Sequence, residues 1–152
     1  MKKMLQWIGS AGLLFCLTLP VMAGGLLMAR SNNDFPEAMT LLQSAISKRG
    51  YKITRLQEVN ENLAKRDFKS DMYRVVYFGK YEEVKEITAN YPQLIPFLPL
   101  NITIFAEGDQ AILVASHPKM LEELFPDPKL KPVFDHWEAD VVAVMDEVRE
   151  AK

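Results

Sequence analysis

Short apolar runs of period two and longer stretches with apolar residues three or four apart succeed one another from Leu26 onward. Leu26-Leu27-Met28-Ala29-Arg30 reads as a short, mostly buried strand, and Ser31-Asn32-Asn33-Asp34 turns the chain. Asp34, with Pro36 and Glu37 behind it, marks a helix start, because its carboxylate can accept from the free N–H groups of the first turn. Ala38, Leu41, Leu42, Ala45 and Ile46 supply that helix with its apolar stripe, and Gly50 can take the left-handed conformation that stops it. Tyr51, Ile53 and Arg55 alternate with Lys52, Thr54 and Leu56, the pattern of a half-buried strand, and Asn60 to Lys65 forms a short helix.

Tyr73 to Phe78 is β-branched and aromatic and reads as a strand that stops at Gly79. Tyr81 to Asn90 is helical, with Val84 and Ile87 inward and Glu82, Glu83, Lys85 and Glu86 outward. Pro92, Pro96 and Pro99 forbid a long helix next, since each lacks an N–H and constrains the residue before it. Asn101–Ala106 and Ala111–Ala115 are strands joined by Glu107-Gly108-Asp109-Gln110 as a hairpin, and Pro118 ends the second. Lys119 to Leu124 makes one or two helical turns, and Pro132 opens a last helix with Val133, Trp137, Val141, Val144 and Val148 on one face. This order predicts an α+β domain with helices packed on one face of a mostly antiparallel sheet.

Ahead of these elements stand a basic tip, Lys2-Lys3, an apolar run from Leu5 to Leu19, then Pro20 and Val21-Met22-Ala23. That layout predicts a secretory signal peptide over residues 1–23, cleaved after Ala23. The alternative is an uncleaved membrane anchor, because Leu5 to Met28 is nearly continuous apolar sequence and a span needs ~20 such residues. Pro20 and Gly24-Gly25 interrupt such a helix, and bulky Phe15 before Cys16 fits a lipoprotein signal poorly. Cleavage carries away the single cysteine, so the mature domain, residues 24–152, has no disulfide, thiolate metal site or cysteine nucleophile to offer a periplasmic or extracellular setting. Loss of Lys2 and Lys3 leaves 16 basic residues against 20 acidic ones, a formal net charge of −4. A mildly acidic chain without a basic stripe does not suit nucleic acid, whose binding rests on neutralising phosphates.

With the elements placed, the sequence resembles the domain of unknown function 302 family, small prokaryotic α+β proteins. The resemblance is carried by Asn33-Asp34-Phe35-Pro36-Glu37-Ala38 and its helix, Val59-Asn60-Glu61-Asn62-Leu63-Ala64-Lys65, and Tyr73-Arg74-Val75-Val76 leading to Phe78-Gly79-Lys80. Leu98-Pro99-Leu100-Asn101-Ile102-Thr103-Ile104 and Val114 to Pro118 with Met120-Leu121 complete it. It implies a compact α+β sandwich and a homodimer, and no general activity. One family branch carries a cysteine near Phe78 and another in place of Leu100, and other members a histidine near Asn60. This chain lacks all three, so no thiol or metal role transfers. Asn101 matches and is the best candidate for a shared site residue.

His117 and His136 are the two imidazoles. His117 sits at the exit of the hairpin beside Pro118, either as an exposed loop residue or as a ligand-binding one. His136 lies in Asp135-His136-Trp137-Glu138, but on a helix only residues three or four apart share a face, leaving Asp140 as its one carboxylate partner. A solvated cluster is therefore expected there, not a metal site. Met28, Met39, Met72, Met120 and Met145 are too scattered for copper, no haem-attachment signal or Gly-rich phosphate loop exists, and Ser116 beside His117 is too little for a hydrolase triad. Neither a cofactor nor a metal is expected.

Tyr91-Pro92-Gln93-Leu94-Ile95-Pro96-Phe97-Leu98-Pro99-Leu100 is too apolar to be wholly solvated and too rich in proline for an ordinary helix. It is expected to line a pocket for a small apolar or amphipathic ligand with Tyr73, Phe97 and Asn101, to form a dimer seam, or to be a buried crossover. The chain reads as a non-catalytic binding or accessory module; the alternative is a small hydrolase or isomerase using His117 or Asn101. A cavity that brings His117 within reach of Ser116 or a carboxylate would favour the enzyme, and a closed core under an apolar Pro96–Leu100 surface the interaction protein.

Overall fold

A computed structural model describes residues 25–151; the expected signal peptide lies outside the described residues. The elements are β1 (Leu26–Ser31), α1 (Phe35–Lys48), β2 (Lys52–Glu58), α2 (Val59–Ala64), β3 (Tyr73–Gly79), α3 (Tyr81–Asn90), β4 (Leu100–Glu107), β5 (Gln110–Ser116), α4 (Leu121–Leu124) and α5 (Lys131–Glu150). Short 3-10 turns cover Pro92–Phe97 and Pro118–Met120. The five strands form one sheet in the order β1-β5-β4-β3-β2, every pairing antiparallel. The result is a single compact α+β domain.

The two periods explain this arrangement. Ala29, Val76, Phe78, Ile102, Ile104, Leu113 and Ala115 are buried, and their alternation along the strands puts them on one face of the sheet. Against that face pack Ala38, Leu42, Ala45 and Ile46 of α1 and Phe134, Trp137, Val141, Val144 and Val148 of α5. The α5 stripe thus begins at Phe134, with Val133 only partly buried beside it. Ser31, the one buried polar residue described, donates from its hydroxyl to the Val148 carbonyl at 3.2 Å and so ties β1 to the end of α5. On the opposite sheet face Leu26 and Met28 of β1 are exposed.

Local signals set the ends of α1. Asp34 accepts from the Glu37 N–H at 3.0 Å, and Gly50 has a φ of +77°, a backbone that glycine adopts without a Cβ clash. One alternation fails. The register of β2 against β3 shifts between Ile53 and Arg55, so Arg55 is exposed and its guanidinium lies over the Tyr77 ring at 5.1 Å. A bulge inserts one residue and flips every side chain after it, which a strict period of two cannot register.

Candidate functional site

Because the hairpin turn at Gly108 closes one end of β4 and β5, the start of β4 and the end of β5 meet at the other. The Pro92–Phe97 turn arrives at this open end, and the Pro118–Met120 turn and α4 leave from it. Pro92 and Pro96 lack N–H groups, so the segment coils in 3-10 fashion, with the Leu94 N–H donating to Tyr91 O at 2.9 Å and the Leu98 N–H to Ile95 O at 3.2 Å. Leu94 is fully buried while Ile95 and Phe97 stay exposed, so this segment is part crossover and part rim. Phe97 stands edge-on to Phe125 with ring centroids 5.7 Å apart.

Between these pieces lies a cavity of about 320 Å³. Its apolar walls include Phe97, Leu98, Met120 and Leu124, and its polar groups are Tyr77, Asn101, Ser116 and His117. Three of the four expected site residues, Phe97, Asn101 and His117, therefore come together. Tyr73 does not. It lines a separate shallow depression with Met72, Thr103 and Phe105, and Tyr77 takes the place expected of it. Tyr73 and Tyr77 share a face of the sheet, but four residues at ~3.3 Å each place them roughly 13 Å apart along the strand.

His117 is held on both sides. Its backbone N–H donates to Gly25 O at 3.0 Å, and its carbonyl accepts from the Met120 N–H at 3.1 Å. Its ring is not that of an exposed loop residue. Nδ1 lies 2.8 Å from Glu138 Oε2, with 28% of the His117 side chain and 19% of the Glu138 side chain exposed. Both facing atoms are closed off from solvent, and among the described residues neither has a hydrogen-bond partner, because their close approach is not aligned along the ring N–H. Glu138 is the residue that sequence reasoning missed. Its signal was positional: it lies four residues after Phe134 and three before Val141, both buried, and so belongs to the margin of the α5 stripe.

His136 follows its helical spacing. Its Nε2 is 3.3 Å from Asp140 Oδ2 and 3.3 Å from Lys80 Nζ, with about half of the side chain exposed. Asp140 also accepts from the Tyr51 hydroxyl at 2.7 Å and from Lys80 Nζ at 3.4 Å, while Lys80 Nζ lies 4.1 Å from the centre of the Tyr51 ring. Burial first, then the hydrogen bond to Asp140 and the charges of Asp140 and Glu83, push the Tyr51 hydroxyl well above its ordinary value of 10.0. A raised folded-state value means that Tyr51 adds stability fully below pH 10 and loses it as pH rises beyond, where the unfolded chain ionises and the folded one resists. Tyr51→Phe is expected to cost about 1–2 kcal/mol at pH 7 and to flatten the alkaline fall in stability. Urea unfolding at pH 7, 9 and 11 checks both, and equal slopes for the two proteins would refute the assignment.

Among the described residues no group of three or more histidine, cysteine, aspartate or glutamate side chains is arranged to hold a metal ion. No described helix is long and apolar enough to cross a membrane.

Comparison with known proteins bears on the fold. The chain is similar to a solved structure from Bacillus stearothermophilus, an uncharacterized conserved protein DUF302, at 18% identity and a TM-score of 0.74, over 82% of this chain and 98% of that one. At that identity the likeness concerns the fold alone. No functionally curated protein gives a significant match. The sequence model described as Domain of unknown function DUF302 matches residues 28–148, from the middle of β1 to the last buried turn of α5, and on that span the chain belongs to the DUF302 family.

Proposed function

We propose that this protein is a secreted or periplasmic binding or accessory module that takes a small apolar or amphipathic molecule into the cavity at the open end of the β4–β5 hairpin. The carrying observation is the cavity itself, about 320 Å³, at the lower end of the range usual for small-molecule sites. Its apolar walls offer burial to a ligand, and Asn101 and His117 offer orientation to a polar end. The leader-like composition of residues 1–23 supports the address outside the cytoplasm.

A titration of isotopically labelled protein with 1-octanol, followed by two-dimensional NMR, tests this reading. Shifts concentrated at Leu98, Asn101, His117 and Leu124 are expected. Leu124 is an exposed wall residue, so Leu124→Trp narrows the cavity without disturbing the core and is expected to weaken binding roughly tenfold, about 1.4 kcal/mol. Shifts scattered over the surface, or a Leu124→Trp protein that binds as well as wild type, would overturn it.

The contact between His117 and Glu138 favours a second reading, a small hydrolase or isomerase. Glu138 would hold the imidazole, Nε2 would move a proton, and the Asn101 amide would steady the substrate. Turnover of a short-chain ester panel that disappears in His117→Gln would support it over simple binding.

A further inference from the structure

Among the described residues that line the cavity, His117 is the single one whose charge changes near neutral pH in the free side chain. The neighbouring lysine in sequence, Lys119, is engaged with Asp135 at 3.3 Å. Glu138 Oε2 stands behind the ring against Nδ1, out of contact with solvent. In the tautomer with its proton on Nδ1, the neutral imidazole turns its N–H side to that carboxylate and keeps the lone pair on Nε2. Nδ1 is the ring nitrogen taken up against Glu138, which leaves Nε2 as the ring nitrogen that a molecule in the cavity can meet.

From this geometry we infer that the ligand is an amphipathic monocarboxylic acid, with its carboxyl group on His117 Nε2 and its tail against Phe97, Leu98 and Leu124. The inference rests on the cavity reading above and adds the class of head group. The proton balance closes without any covalent change beyond one transfer. A neutral acid passes its carboxyl proton from oxygen to Nε2, and the ring becomes an imidazolium between two carboxylates, the ligand's and that of Glu138. With an acid that arrives ionised, the same state is reached when Nε2 takes up one proton from the buffer acid in solution, which is left as its conjugate base.

Net charge at the pair is the same before the neutral acid enters and after, so the ligand's charge is never left unpaired in the apolar cavity, where it would be costly. The other head groups fare worse. An amine finds no carboxylate among the described wall residues, and Glu138 Oε2 is closed off against the imidazole. An alcohol finds one neutral hydrogen bond where the acid finds a charge-assisted one.

The test uses the full chain with octanoate, 1-octanol and octylamine as probes, titrated by calorimetry and by nitrogen NMR of labelled histidine. Octanoate is expected to bind about tenfold more tightly than octanol, with octylamine weakest. Octanoate should move the His117 Nε2 resonance to its protonated position, and octanol should leave it unprotonated. His117→Leu should bring octanoate down to the level of octanol while octanol still binds, and Glu138→Gln should narrow the gap between them. Equal affinities for octanoate and octanol, or a His117→Leu protein that keeps the octanoate preference, sink the acid anchor and leave the cavity reading standing. Failure of all three probes to bind sinks both.

Discussion

Trp137→Ala is expected to destabilise the domain more than any other single truncation, by about 3–5 kcal/mol, the usual cost of removing a large buried aromatic side chain. Trp137 is 1% exposed and belongs to the α5 stripe near the start of the helix, with its ring 5.8 Å from that of Phe134. Its indole N–H donates to Glu83 Oε1 at 3.0 Å, so the truncation also separates α5 from the start of α3. Against a total stability of about 5–15 kcal/mol this is a large fraction, and the thermal midpoint should fall by roughly 10–20 °C. Trp137→Phe separates the two contributions. It restores most of the packing but not the hydrogen bond, and should recover more than half of the loss. A calorimetric midpoint within a few degrees of wild type for Trp137→Ala would mean that α5 is not seated on the sheet as described.

Phe78→Ala is expected to cost a similar amount, about 3–5 kcal/mol, for a different reason. Phe78 is fully buried near the end of β3 and meets the Tyr51 ring edge-on, with centroids 5.3 Å apart at an interplanar angle of 90°. Such pairs contribute about 0.5–1.5 kcal/mol beyond the area they bury. Tyr51 is the hub that also binds Asp140 and lies under Lys80, so the loss at Phe78 extends to the polar cluster. A double-mutant cycle with Tyr51→Leu isolates the pair: a coupling of about 1 kcal/mol is expected from denaturant unfolding. Strict additivity of the two substitutions would contradict the contact.

The core around these residues was largely legible in the sequence. The stripes of α1 and α5 appear as three- and four-residue spacings, and the β4–β5 hairpin announces itself through Gly108 and its polar neighbours. These signals are local, so nearest neighbours suffice to read them. Tyr73 shows where such reading stops. Alternation assigns a side chain to a face of the sheet but carries no information on how far along the strand a cavity lies, and Tyr77 holds the position instead. The bulge after Ile53 is invisible for the same reason, since it arises from the pairing of β2 with β3 and not from either strand alone.

The sequence by itself determined most of the elements, the ends of α1 and the α+β class, because each depends on backbone propensity and apolar spacing within a short window, and the order of its motifs pointed to the family. It also brought forward His117 by its place at a strand exit, Phe97 by the apolar, proline-rich segment around it and Asn101 by the family resemblance. Only the tertiary structure decided that His117 is no free loop side chain. Its partner Glu138 sits on a helix that approaches the end of β5 solely because α5 lies across the sheet, and Glu138 is aimed there by the burial of Phe134 and Val141 on either side. A contact of that kind is set by how two hydrophobic faces dock, which no local pattern of residues encodes.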